Sequence, residues 1–393
     1  MEKSKNTRHP LKQTRAYFSL RGHIVKVGED GMFNLKPKDQ TRERAFAACK
    51  MSVKTAVDNT VYGIEVSGNE QEKVRYSWKT EEGPVNTEIE WKDRYNQNVI
   101  NAVIPKGVDA SLSFAKTIGL ERESYKDKDG QEKQRVVRKQ LTGFDAVHEL
   151  KKAIDSGNLT DETSVYISGN VKPNSFLKMN ETTGETSLQK SIKLEAGTVT
   201  LTSPIVFGEM TEDDVKKAAV FNMDVVIKEF NEIDDVIYLT GIYVGYDAIE
   251  EMEFKFANPA LAKKFQDTFS PHLKKGIYPM IKCEGIIKRE VVEEEVAVED
   301  DGWGERVVKR RNAPSKQVWL ITFGDPETID TESFTVENVD AAKEQIKAWK
   351  DDYKAGRDLR NEETTSTESN SGWGEKTSTE ISMNDFDEDE DWD

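Results

Sequence analysis

Apolar and polar positions alternate with a period of two over several short stretches, and each stretch ends at a Gly, Asp or Asn turn signal. Ala16–Val27 (AYFSLRGHIVKV) reads as a first strand, closed by the turn Gly28-Glu29-Asp30-Gly31. Ala45–Thr55 and Val61–Val66 follow as a second and third strand around the turn Asp58-Asn59, so the three make a meander. Residues 70–142 read as an insertion with two hairpins, Val74–Trp91 and Glu121–Val137, and a short helix near Ala110–Ile118. At Phe144–Asp155 the apolar spacing becomes helical, with Gly157 as the stop. Leu159–Val171 is a strand entering a Gly-centred bend. It leads through a polar hairpin tipped by Thr183-Gly184 into a last strand, Ser191–Leu201.

Three strands, a helix and two strands is the order of a five-stranded OB barrel. The order recurs in Val220–Glu229, Asp235–Val244, Glu251–Ala257, the helix Pro259–Phe269, Gly276–Ile287 and Gln317–Phe323. The expected fold is therefore mainly β with some α, built of two OB-like barrels. The divisions are a basic flexible arm (1–15), a first barrel (16–205) with its insertion at 70–142, and a second barrel (215–325). An acidic loop at 290–316 interrupts the second barrel. A helix at 336–358 and a disordered acidic tail at 359–393 complete the chain.

Charge sharpens this picture. The 393 residues carry a net charge of −17, with 36% hydrophobic and 33% charged residues. Residues 361–393 hold twelve acids against Lys376, which places −11 there and leaves −6 for the rest. Residues 1–60 hold thirteen Lys and Arg against six acids. The chain is polarised, basic at its start and acidic at its end, and blocks of like charge at an end mark solvated interaction tails. No apolar run reaches a membrane span and no signal core opens the chain, so the expected compartment is the cytoplasm (of the host, for a viral protein). Cys49 and Cys283 sit in apolar strands, and the four His show no ligand spacing, so neither a disulfide framework nor structural zinc is expected. Phosphate-loop, zincin, Cys-x-x-Cys and Gly-x-Ser-x-Gly motifs are all absent, which argues against an enzyme; neither metal nor cofactor is expected.

The segment 165–199 (VYISGNVKPNSFLKMNETTGETSLQKSIKLEAGTV) resembles the end of bacterial and phage single-stranded DNA-binding proteins. Residues 15–27 and 46–68 resemble their first three strands, and 276–290 repeats the Gly-containing strand. The acidic tail SMNDFDEDEDWD (382–393) is similar to their partner-recruiting peptide. The resemblance implies a non-enzymatic protein that coats single-stranded DNA in replication or recombination, with Phe386, Asp389, Glu390, Asp391 and Trp392 recruiting partner proteins.

Such binding needs cations along a groove and aromatic faces on which bases stack. Arg42, Arg44, Lys50 and Lys54 are the candidate phosphate partners of the first barrel. Phe33, Phe46, Tyr62, Tyr76, Trp78, Trp91 and Tyr95 are the candidate stackers, although Phe46 and Tyr62 fit a barrel core equally well. Lys172, Phe176, Lys178 and Lys190 repeat the mixture in the last hairpin. The word Gly-Trp-Gly-Glu occurs at 302–305 and again at 372–375, which is either coincidence or a pair of docking peptides for one partner. The competing reading is an OB-fold protein-interaction module or nucleic-acid mimic that binds no DNA, which the global acidity favours.

Overall fold

The computed structural model describes residues 9–39, 42–81, 83–126, 128, 130–179, 186–290, 293–295, 310–312 and 316–367. The chain begins with β1 (Ala16–Val25), β2 (Phe33–Lys36), β3 (Phe46–Ala56) and β4 (Asn59–Asn69). The insertion contains β5 (Lys73–Thr80), β6 (Gly83–Glu90), α1 (Gln97–Val103), β7 (Ser111–Leu112), β8 (Lys116–Lys126) and β9 (Glu132–Leu141). Helix α2 (Gly143–Asp155), β10 (Ser164–Met179) and β11 (Thr186–Leu201) complete the first unit. After α3 (Glu212–Ala218) come β12 (Ala219–Ile233), β13 (Val236–Val244), β14 (Ile249–Phe256), α4 (Pro259–Leu273) and β15 (Met280–Glu290). The fragments β16 (Glu293–Glu295) and β17 (Arg310–Asn312) pair with each other before β18 (Lys316–Asp330), and α5 (Val336–Thr367) is the last helix.

Both barrels close. In the first, β1 pairs with β3 and β10, β3 with β4, β10 with β11, and β11 runs parallel to β4. In the second, β12 pairs with β13 and β15, β13 with β14, β15 with β18, and β18 runs parallel to β14. A meander closed by a parallel third–fifth strand pair, with a helix before the fourth strand, is the OB topology expected of the repeated pattern.

The repeated glycine in the fourth strand has one cause in both barrels. The β10–β11 register slips at Ser168/Gly169, and the β15–β18 register slips at Glu284/Gly285. A Cβ on Gly169 would lie 2.0 Å from Glu195 O, and one on Gly285 would lie 2.2 Å from Leu320 O. Only glycine lets the bulged strand bend that close to its neighbour.

The barrels are joined through their first strands. Residues Ala16–Leu20 of β1 pair antiparallel with Ala219–Met223 of β12, making Phe18 and Phe221 register partners across the seam. One apolar cluster runs through both barrels, from Leu20 and Ile64 to Phe254 and Trp319. At the β3–β4 turn, Asn59 Nδ2 donates to Ile287 O (3.0 Å) and Asn59 Oδ1 accepts from Arg289 N (2.9 Å).

Three expectations change here. The last helix, expected at 336–358, runs on to Thr367, into residues expected to be disordered. The arm is pinned from His9 onward: the His9 ring meets Gly245 O at 2.7 Å, Thr14 exchanges bonds with Val244, and Leu11 is buried. Leu11 shares a small core with Phe334, Val339 and Ala342, so the arm and α5 cover one outer side of barrel 2. The helix expected near Ala110–Ile118 lies instead at Gln97–Val103, capped by the Asn96 side chain, which accepts from Asn98 N. Lys116–Leu120 alternates and runs parallel to β11 at Thr198–Thr200. No helix among the described residues is long and apolar enough to cross a membrane.

Candidate nucleic-acid interface

The outer face of β3 and β4 carries the side chains that alternation excludes from the core. Cys49, Met51, Val53, Val61, Ile64 and Val66 point inward. Lys50, Ser52, Lys54, Thr60 and Tyr62 therefore stand outward. Tyr62 is 40% exposed, and the Arg289 guanidinium of barrel 2 lies 5.6 Å from its ring centroid. Gln317 also reaches across, accepting from Tyr62 N at 3.1 Å. Lys50 is exposed and makes no ion pair among the described residues. Lys54 is half-buried, its ammonium 5.2 Å from the Phe207 ring, which also touches His23.

The remaining candidates of the first barrel divide. Arg44 is exposed and pairs with Glu72 at 3.6 Å. Arg42 lies in the loop before β3, where its N–H donates to Asp39 Oδ1. Phe33 faces the core side, in register with Cys49, and packs on the apolar cluster. Phe46 is half-buried at the start of β3.

Lys172 belongs to an ion cluster instead of a free groove. Glu195 pairs with both Lys172 and Lys116, the latter at 2.9 Å, and Glu65 pairs with Lys193 at 2.6 Å. Burial opposes ionisation of Glu195, but the two lysines outweigh it and hold its carboxyl down at about 2. The side chains of Phe176, Lys178 and Lys190 lie outside the described residues, as do the hairpin tip Thr183-Gly184, both Gly-Trp-Gly-Glu words and the tail residues Phe386, Asp389, Glu390, Asp391 and Trp392.

Tyr76, Trp78, Trp91 and Tyr95 of the insertion are engaged in packing or in a clasp to α2. Trp78 is only 9% exposed, and Val74, Tyr76, Ile89 and Leu112 form a separate small core. The Tyr76 hydroxyl donates to Arg94 O at 2.7 Å. Trp91 lies under the Arg94 guanidinium (4.1 Å) and edge-on to Phe144 of α2. Arg94 grips Asp145 through two bonds of 2.8 Å, and the Tyr95 hydroxyl donates to the same carboxylate at 2.6 Å. Tyr95 also accepts from Thr142 N, and burial with the Asp145 bond pushes its phenol up to about 12. This clasp ties the insertion to the N-terminal turn of α2.

Arg289 and its exposed neighbour Lys288 escaped the sequence reading. Two adjacent bases ending the Gly-containing strand were the available signal, but their approach to Tyr62 depends on how the barrels meet. The matching face of barrel 2 is charge-paired: Glu251 pairs with Lys228, Glu253 with Lys316, and Lys255 with Glu290 beside the Tyr238 ring. Burial pushes the thiols of Cys49 and Cys283 far up, so neither is a nucleophile.

Fold and surface together define a tandem OB-barrel protein with one cationic, aromatic-bearing barrel face. The chain belongs to the YorF family, whose model matches residues 123–356, from β8 through the second barrel into α5. No curated protein matches the chain.

Proposed function

We propose that the chain is a non-enzymatic single-stranded DNA-binding protein that coats and protects unpaired DNA during replication or recombination in the cytoplasm. The observation that carries this reading is the exposed β3–β4 face of a closed OB barrel, where the Tyr62 ring shares a surface with the Arg289 guanidinium and with Lys50, which makes no ion pair among the described residues. A ring offers a base its face, and cations on either side meet the phosphates. The acidic C-terminal residues recruit partner proteins in this reading.

Fluorescence anisotropy of labelled oligo(dT) at rising salt tests the proposal. Affinity falls with salt on a log–log slope of about −0.7 per phosphate contacted. A protein that leaves oligo(dT) unbound at low salt, or prefers duplex DNA, refutes it.

A further inference from the structure

A groove of about 520 Å³ crosses the outside of the molecule where β1, β10, β11, β8 and β12 lie side by side. It exists because the middle of this sheet carries small residues, Ser19, Ser168 and Thr198 with Gly169 and Gly197, while tyrosines stand at its margins. Tyr17, 49% exposed, lies opposite Asn170 on one side and Asn222 on the other. Tyr166 lies opposite Arg21, four residues along β1 from Tyr17, which separates the two positions by about 13 Å of strand.

We propose that this groove holds further unpaired bases of the same DNA strand, an inference that rests on the single-strand reading above. The lining provides what a base requires. Two phenol rings offer stacking faces, the Asn170 amide offers a donor and an acceptor, and the Asn222 carbonyl stays open while its N–H donates to Glu284. No carboxylate lines the groove, in contrast to the outer strands of barrel 2. Arg21, exposed on the same face of β1 two residues beyond Ser19, makes no ion pair among the described residues and meets the phosphates. A third ring stands beside the groove in sequence. Phe114, next to the lining residue Ala115, is 92% exposed and held at φ 58°, a left-handed conformation that strains a bulky residue. An exposed ring in a strained backbone suits a base partner that covers it.

Photocross-linking to oligo(dT) carrying 5-iododeoxyuridine, mapped by mass spectrometry on the full chain, tests the groove directly. Adducts at Tyr17, Tyr166 or Phe114 are expected. The double variant Tyr17→Ala, Tyr166→Ala loses about 10- to 100-fold in affinity with an unchanged salt slope, because it removes stacking and no phosphate contact. Tyr17→Phe with Tyr166→Phe retains binding. Adducts confined to Tyr62, with affinity unchanged in the alanine variant, overturn the groove while leaving the β3–β4 reading intact. Unbound oligo(dT) at low salt removes that reading and the groove with it.

Discussion

Barrel 1 and barrel 2 share strand order, parallel closure and a bulged glycine in the fourth strand, yet the outward charges of their second and third strands differ: lysines without ion pairs among the described residues in one, matched ion pairs in the other. β3 and β4 turn Lys50, Lys54 and Tyr62 outward, whereas β13 and β14 turn out Tyr238 and Lys255 among Glu251 and Glu253. The connection before the helix differs as well. Barrel 1 carries a complete insertion between β4 and α2, while barrel 2 passes from β14 to α4 through two residues, Ala257 and Asn258. Topology thus fixes where a binding face lies, and the outward side chains decide what that face attracts. The seam adds a refinement: Arg289 of barrel 2 reaches Tyr62 of barrel 1, so the basic face is assembled by both units.

Charge reversal is the most severe test of this contrast. Lys50→Glu with Arg289→Glu is expected to lower oligo(dT) affinity by about 100-fold at low salt and to flatten the salt slope by about two contacts' worth. Glu251→Lys with Glu253→Lys, the mirror experiment on barrel 2, is expected to change affinity less than about threefold, since the long-range field alone alters. Equal effects in the two barrels, measured by anisotropy, would erase the asymmetry.

The insertion supplies the next largest effect. Asp145→Ala leaves the half-buried Arg94 guanidinium and the Tyr95 hydroxyl without their acceptor, a loss of about 2–3 kcal/mol. Limited proteolysis should then cut the insertion while both barrels stay resistant. Uniform resistance would mean that the Trp91–Phe144 contact holds it alone. Smaller again is Tyr62→Ala, which removes one stacking ring and costs about 10-fold in affinity, against no measurable change for Tyr238→Ala.

How far the chain disclosed these differences depends on the range of the interactions. Alternation in Ala16–Val25 and the glycines of the fourth strands placed both barrels, because strand and bulge are local signals. Trp78, a candidate stacker, turns inward because Val74, Tyr76 and Trp78 alternate with Arg75, Ser77 and Lys79, a local pattern that marks one buried face. Lys172 looked free because Glu195 lies twenty-three residues away and becomes its neighbour only through the β10–β11 ladder. The pinned arm was illegible for the same reason, since His9 and Thr14 find their partners at Gly245 and Val244.

Glu195 provides the subtlest separation of the barrels, because it anchors cations on barrel 1 that would otherwise join the free ones. Its carboxyl sits at about 2 in the folded chain against an ordinary value of 4.5, so ionisation favours the fold. That contribution is present above pH about 4.5 and is lost as pH falls towards about 2. Lys172 is itself exposed, and solvent screening reduces the gain to about 1 kcal/mol. Glu195→Gln should therefore lower stability at pH 7 by about that amount and remove part of the decline between pH 4.5 and 2, followed by chemical denaturation at each pH. The same substitution releases Lys172 and Lys116 beside the proposed strand path. Oligo(dT) affinity is then expected to rise two- to threefold, roughly the effect of one extra surface cation. Weaker binding would show that the Glu195 cluster positions the β10–β11 hairpin for DNA, and that its acid is part of the interface on barrel 1.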